Sequence, residues 1–222
     1  WLDLGPYRFD AGPSLLTMPH FIDELFDLFN ENPRDHFNYK KKDISCKYFW
    51  DDVTKLSAYS DKIKFTKEIE NILGVKQSIV SAYLLKAKKK YELTKRMFLE
   101  QSLHKLKTYF TKDLLNGVFN IFSFQINKTL NQVNASELKE PHLVQLFNRF
   151  ATYNGSSPYK TPGMMTLVQH LEQEYGTFVS DKGMQNITNS LYNLALRQGV
   201  DFKFNNYVSE ILVSNKIATG IM

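Results

Sequence analysis

Between Pro19 and Glu174 the apolar residues recur mostly three, four and seven positions apart. Alternating patterns are confined to one internal pair of segments and to the two ends of the chain. Helices and strands bring different spacings onto one face, so this distribution predicts a helix-rich body flanked by short strands, an α+β class. Tyr7 to Asp10 alternates and runs into the turn residues Ala11-Gly12-Pro13. Pro19 opens a helix carrying Phe21, Ile22, Leu25, Phe26, Leu28 and Phe29, and Asn30 to Pro33 stops it. Ile44–Trp50 and Lys55–Tyr59 flank a polar Asp51–Thr54 turn and read as a hairpin.

Ser60 or Asp61 caps a helix that reaches Leu73-Gly74. A long helix is expected from about Lys76 to Glu100, with Val80, Tyr83, Leu84, Ala87, Tyr91 and Phe98 on one face. The opposite face is expected to hold Lys86, Lys88, Lys89, Lys90, Lys95 and Arg96. Asp113 begins a strongly apolar stretch, from Leu114 to Phe124. Its seven large apolar residues are more than one core-facing stripe needs, which suggests a second apolar contact with a ligand or with lipid. Helices are expected over about Pro141–Phe150 and Pro162–Glu174, separated by the polar loop Ala151 to Tyr159. A short strand at Phe178–Ser180, a helix ending near Gln198-Gly199, and strands at 200–204, 208–213 and 216–221 complete the pattern.

Several chemistries are excluded by what is missing. No two of the ten glycines lie two residues apart, so the chain holds neither a G-x-G-x-x-G dinucleotide fingerprint nor a P-loop. Cys46 stands alone, which rules out a disulfide framework and multi-cysteine metal sites within the chain. No H-E-x-x-H or G-x-S-x-G occurs, and no metal site is expected. No apolar run approaches the roughly 18 residues of a membrane-spanning helix. The formal charge of +5 favours anionic surfaces mildly, and no RNA-binding or helix-turn-helix pattern accompanies it, so nucleic acid is not an expected partner. The chain opens with Trp1 and ends inside a strand pattern, and it reads as an internal fragment of a longer protein.

Three segments carry a resemblance. Tyr7-Arg8-Phe9-Asp10-Ala11-Gly12-Pro13-Ser14 fits an F-D-x-G-P-[ST] strand and turn. Arg149 to Tyr159 reads R-F-A-T-Y-N-G-S-S-P-Y. Lys182 to Ile221 runs through Gly183-Met184, a helix, Gly199-Val200 and Val208-Ser209-Glu210-Ile211. In this order and spacing they resemble the bacterial-type carotenoid desaturases, the phytoene desaturases and their relatives. The first motif alone is shared by several flavin oxidoreductase families.

The resemblance implies an FAD enzyme that introduces double bonds into a long apolar polyene. It implies three segments: residues 1–14 from the edge of an FAD domain, 15–180 as a helical substrate region with a short hairpin, and 181–222 returning to an incomplete FAD domain. Gly12, Pro13, Ser14, Gly183 and Met184 would lie near the flavin, and the Val208 backbone near its adenine end. Read without the resemblance, these are a strand-ending turn, a helix-opening turn and a sheet residue. Asp113 matches a position proposed for acid–base chemistry, and it equally suits the first turn of a helix. Tyr153, Asn154, Gly155, Leu115, Phe119 and Phe122 would contact substrate. The lysine-rich face would be either solvated or laid against an anionic membrane. A cytoplasmic, peripherally membrane-associated enzyme is expected, whose isolated 222-residue piece does not retain FAD. The alternatives are a carotenoid isomerase or other flavin oxidoreductase, and a non-catalytic module for apolar ligands or membranes.

Overall fold

A computed structural model describes residues 2–95 and 124–222. Among these residues, six α-helices accompany eight short strands, which pair into four separate two-stranded antiparallel ladders. The expected α+β class and the central hairpin are present. The expected apolar stretch from Asp113 through Leu115, Phe119 and Phe122 lies outside the described residues. Phe124, at its end, is buried.

The main core is built from the hairpin and the helices that follow it. Strands β4 (Ile44–Phe49) and β5 (Lys55–Tyr59) pair around a turn in which Asp52 Oδ1 accepts from the Thr54 N–H. Leu56 and Ala58 face inward. Helix α2 (Lys62–Leu73) starts where the Asp61 carboxylate accepts from the Lys64 N–H at 2.8 Å, and it ends at Gly74 with φ +69°. Phe65 and Ile69 from α2 meet Val80, Tyr83 and Leu84 from α3 (Gln77–Lys95). Helix α4 (Leu130–Leu138) was not anticipated, although its Thr129/Gln132 capping box was legible. Helix α5 (Pro141–Asn148) adds Leu143, Leu146 and Phe147, and Glu140 caps its first turn.

Two expectations fail along this core. The polar 151–159 stretch is not all loop: a 3₁₀ helix, Arg149–Asn154, continues directly from α5 and stops at Gly155 with φ +59°. The single helix expected over 162–174 is instead a 3₁₀ helix, Gly163–Val168, followed by a π turn, Leu171–Tyr175. Its start is pinned by contacts with the α4 entry. The Gly163 N–H donates to the Lys128 carbonyl at 2.7 Å, and a Cβ on Gly163 would stand 2.6 Å from Val133 Cγ2.

A second core holds Leu16, Phe26, Phe37 and Leu194. Phe26 comes from α1 (His20–Asp27), which leaves Phe21 and Leu25 exposed, as are Leu28 and Phe29 in the turn after it. Leu194 comes from α6 (Gln185–Arg197). Strand β3 (Tyr39–Lys41), unforeseen because its sequence is short and polar, pairs with β6 (Phe178–Ser180) beside this core. The helix that follows Lys182 thus buries Leu194 against α1 and Phe37.

The remaining ladders are exposed. They are β1 (Leu2–Leu4) with β2 (Tyr7–Phe9), and β7 (Ile211–Ser214) with β8 (Ile217–Ile221). Residues 200–204 are not a strand. They have no neighbouring strand to pair with among the described residues, and Phe202 and Phe204 pack instead on Tyr192 of α6, at 4.5 and 5.9 Å.

Lys90 is the clearest correction. It does not lie with the exposed Lys86, Lys88 and Lys89 but on the buried stripe of α3, one turn beyond Ala87 and beside Tyr91. Its ammonium donates to Gln125 Oε1 at 2.7 Å and to Thr166 Oγ1 at 2.8 Å. Burial pushes its pKa down to about 8, against an opposing pull from Glu137. In the unfolded chain Lys90 holds its proton to about pH 10.4, so between pH 8 and 10 the unfolded state binds more protons. Stability should therefore rise across that interval, by on the order of 2 kcal/mol from this residue. Urea unfolding of the wild type and of Lys90→Met at pH 8 and pH 10 checks this. The variant should lack the rise, and identical pH dependence in both proteins would refute it.

Candidate functional site

The described residues bring the sequence candidates together in two places. The first is a shallow cleft of about 200 Å³ between residues 10–13 and the start of α6, lined by Gly12, Pro13 and Met184 among others. Both carboxylate oxygens of Asp10 accept from the Met184 N–H at 3.1 Å. Gly183 has φ +79°, and a Cβ there would come within 3.0 Å of those oxygens. Four of the expected residues thus converge because the turn after β2 is tied to the N-terminus of α6. Ser14 follows directly in the chain. Val208 is not among the lining residues, and it sits half-exposed in the irregular stretch before β7.

The second place is an apolar cleft of about 370 Å³, where Tyr153 and Asn154 meet Tyr91, Met164, Met165 and Leu171. One end of α3, the 3₁₀ turn after α5 and the 163–171 segment form its walls. Gly155 ends that turn in the left-handed conformation, which Gly adopts without steric cost. Leu115, Phe119, Phe122 and Asp113, the remaining substrate and catalytic candidates, lie outside the described residues.

Behind this cleft is a charge network that sequence reading missed. Nη2 of Arg149 bonds both oxygens of Glu172, at 2.9 and 2.7 Å. Nε of Arg149 donates to the Tyr48 hydroxyl at 2.8 Å, and the Tyr153 hydroxyl donates to Glu172 Oε1 at 2.6 Å. The Glu172 side chain is 1% exposed. The Arg149 guanidinium also lies 4.6 Å from the centre of the Phe150 ring, on which Tyr153 stacks. Burial pushes the Tyr153 hydroxyl above its usual range, and the neighbouring Glu172 carboxylate pushes it further. Burial likewise raises Tyr48. Burial works against the Arg149 charge, but Tyr48 and Glu172 more than offset it and hold the guanidinium protonated. Tyr153 is therefore a neutral phenol fixed in place, suited to shaping the cleft and ill suited to giving up a proton. A sequence signal existed only for Arg149 and Tyr153, both inside the R-F-A-T-Y-N-G run.

The geometry defines a helical scaffold with an apolar cleft and, separately, a shallow cleft at a glycine-containing turn. No family model matches the chain. Comparison with characterised proteins is more specific. The chain is 48% identical over 220 residues to a 1-hydroxycarotenoid 3,4-desaturase of Flavobacterium sp. (strain P99-3), covering 99% of this chain and 45% of that protein. It is 27% identical over 218 residues to a 4,4'-diaponeurosporene oxygenase of Staphylococcus aureus (strain MRSA252), covering 97% and 43%. It is 27% identical over 214 residues to a 4,4'-diapolycopene oxygenase of Methylomonas sp, covering 92% and 41%. The chain is thus a homologue of carotenoid desaturases and oxygenases along nearly its whole length, and it spans less than half the length of these relatives.

The Arg149–Glu172 pair yields a stability prediction. Removing one partner strands a charge in a largely buried site, which costs about 3–5 kcal/mol. Glu172→Leu should therefore destabilise the protein by that order in denaturant unfolding. Arg149→Met combined with Glu172→Leu should recover most of the loss, because no charge is then left unpaired. A double variant as unstable as the single one would show that the network is not acting as a unit.

Proposed function

We propose that this chain supplies the substrate-binding part of an FAD-dependent carotenoid desaturase. The observation that carries the reading is the 48% identity over 220 residues to a protein named as a carotenoid desaturase. Support comes from the apolar cleft, which Tyr153 and Asn154 line. In this reading the cleft aligns the polyene and excludes water, so that one carbon–carbon bond faces the flavin. The Arg149–Glu172 network behind the cleft keeps Tyr153 from shifting.

The residues at the turn cleft fit one edge of a flavin. Gly12 has open space where a Cβ would project, so a flat ring can approach its backbone. The Met184 N–H is already taken by Asp10, which holds the α6 entry in place. Nothing in the sequence replaces the missing phosphate-binding glycine motif, so the chain alone would not hold the dinucleotide. When bound, the flavin supplies a two-electron acceptor, so that the polyene can lose a hydride to it and a proton to a base. Asp113 is retained as the candidate for that base, and Val208 as a backbone contact to the adenine end.

The same proposal sets the enzyme in the cytoplasm, on the membrane that stores its substrate. Lys86, Lys88 and Lys89 are exposed on α3 and would face anionic headgroups. Lys90 takes no part, because it is buried. Among the described residues no helix is long and apolar enough to cross a membrane.

The test uses the full-length protein with FAD, acyclic carotenoids and anionic vesicles, followed by product chromatography. Expected are a product with two fewer hydrogens and longer-wavelength absorption, one FAD per chain, and vesicle binding that falls on Lys→Glu changes at 86, 88 and 89. The isolated 222-residue chain should purify colourless. A yellow isolated chain with one FAD bound would overturn the division of labour, and unchanged substrate would overturn the activity. An oxygen-containing product would move the assignment toward the oxygenases that are 27% identical.

A further inference from the structure

Two walls of the apolar cleft come from separate parts of the chain. Tyr91 and Thr94 belong to α3, and Met164, Met165, Leu167 and Val168 belong to the 3₁₀ helix Gly163–Val168. A side-chain hydrogen bond joins these walls: Lys90 Nζ donates to Thr166 Oγ1 at 2.8 Å. Neither residue lines the cleft. Lys90 precedes Tyr91, Thr166 lies between Met165 and Leu167, and the two are 5% and 3% exposed. The bond therefore sits directly behind the lining.

Further bonds continue on both sides of it. Thr166 Oγ1 donates to the Gly163 carbonyl at 2.9 Å, at the start of the 3₁₀ helix. Lys90 Nζ also donates to Gln125 Oε1 at 2.7 Å, and Gln125 Nε2 donates to Glu137 Oε1 of α4 at 3.2 Å. Glu137 Oε2 accepts from Lys86 Nζ at 3.0 Å. The elements α3 and α4 and the 3₁₀ wall are thus connected through one ammonium.

The arrangement is costly. Both acceptors on Lys90 are neutral and do not match its charge, and burial disfavours the ammonium. A methionine would fill similar space without that cost, but it could donate no bond. What the ammonium adds is direction, through two charge-assisted bonds that fix the distance between α3 and Thr166. An empty apolar cleft gains by closing on itself, since its lining then leaves water. A strut behind the lining opposes that closure, so a ligand does not have to reopen the walls at the expense of its own affinity.

We propose that Lys90 is a positioning residue: it braces α3 against the Gly163–Val168 wall and so sets how tightly the apolar cleft holds an elongated hydrocarbon. The inference rests on the reading in which that cleft receives the polyene, and it adds the residue that fixes the cleft's width. The brace is strongest while the amine carries its proton, because a neutral amine has one N–H fewer and forms weaker bonds. Among the described residues, the charged groups that bear on it are Glu137 from α4, which favours the proton, and Lys86 one turn earlier on α3, which opposes it.

The test is a titration of the 222-residue chain, labelled with ¹³C in its methionine methyls. The probe is diphenylhexatriene, a rod-shaped conjugated hydrocarbon that fluoresces on leaving water. In the ligand-free wild type the Met164 and Met165 methyl signals should shift with a midpoint at about pH 8. Diphenylhexatriene should move the same two methyls, and it should bind at least about fivefold more weakly at pH 9.5 than at pH 7. Lys90→Met and Thr166→Val, checked for folding by thermal melting, should each bind at pH 7 as weakly as the wild type does at pH 9.5. Lys90→Met should also lose the pH dependence of both readouts. A lysine that only filled space would leave the methyl signals and the affinity indifferent to its proton. Wild-type methyls that do not titrate, or a wild-type affinity that is the same at both pH values, would overturn the brace, and these two measurements decide the matter if neither variant folds. Failure of the polyene reading shows separately, as methyls that titrate with pH while diphenylhexatriene does not bind.

Discussion

A charge taken out of water must be matched, and in this protein that requirement falls on Arg149. Its guanidinium bonds Glu172 from the π turn and Tyr48 from the hairpin, while Tyr153 from the 3₁₀ turn completes the carboxylate's bonds. Three segments that are distant in sequence are thereby held to one geometry. The net stabilisation from such a pair is modest, because desolvation offsets much of the attraction. What the pair provides is position. Any rearrangement that separates the segments leaves an unmatched charge, so the walls of the apolar cleft cannot drift apart cheaply.

The segment from Gly163 to Tyr175 then acts as a partition. A regular α-helix would sweep its side chains past the neighbours at 100° per residue. Here a 3₁₀ helix passes into a π turn, and π turns frequently occur at functional sites. Val168 and Leu171 line the apolar cleft on one side. Gln169, His170 and Gln173 line a second cavity on the other, with Leu84, Leu85 and Ala87. The ring of Tyr91 sits between the two, against His170. One short stretch of irregular backbone thus contributes walls to two cavities.

The ends of the chain meet through a different device. The Asp10 carboxylate seats itself on the Met184 N–H at the start of α6, and Leu194 of that helix joins Leu16, Phe26 and Phe37 in a shared core. By contrast, β1–β2 and β7–β8 stand out from both cores, with apolar residues such as Leu4, Tyr7, Ile211 and Ile217 exposed. A two-stranded ladder is marginal by itself in water.

Much of this was legible in the residues alone, and for local reasons. The hairpin around Asp51–Thr54, the Asp61 cap and Gly74 stop of α2, and the Val80–Tyr83–Leu84–Ala87–Tyr91 stripe follow from turn chemistry, capping and periodicity, which act over a few residues. The three motif segments pointed correctly to the carotenoid desaturases as relatives. The placement of Lys90 was also available from spacing, since it stands three residues past Ala87 and seven past Tyr83, but its charge argued for the surface and masked the register. Other features carried no local signal. The β3–β6 ladder joins residues roughly 140 positions apart, the Arg149–Glu172 pair depends on a turn bending back, and Gln169, His170 and Gln173 look like an ordinary polar helix face in the sequence. Propensity and periodicity describe how a segment folds against its own neighbours. Which charge is buried, and what it is paired with, depends on where the other segments come to rest, and that was settled only when the chain closed around Arg149.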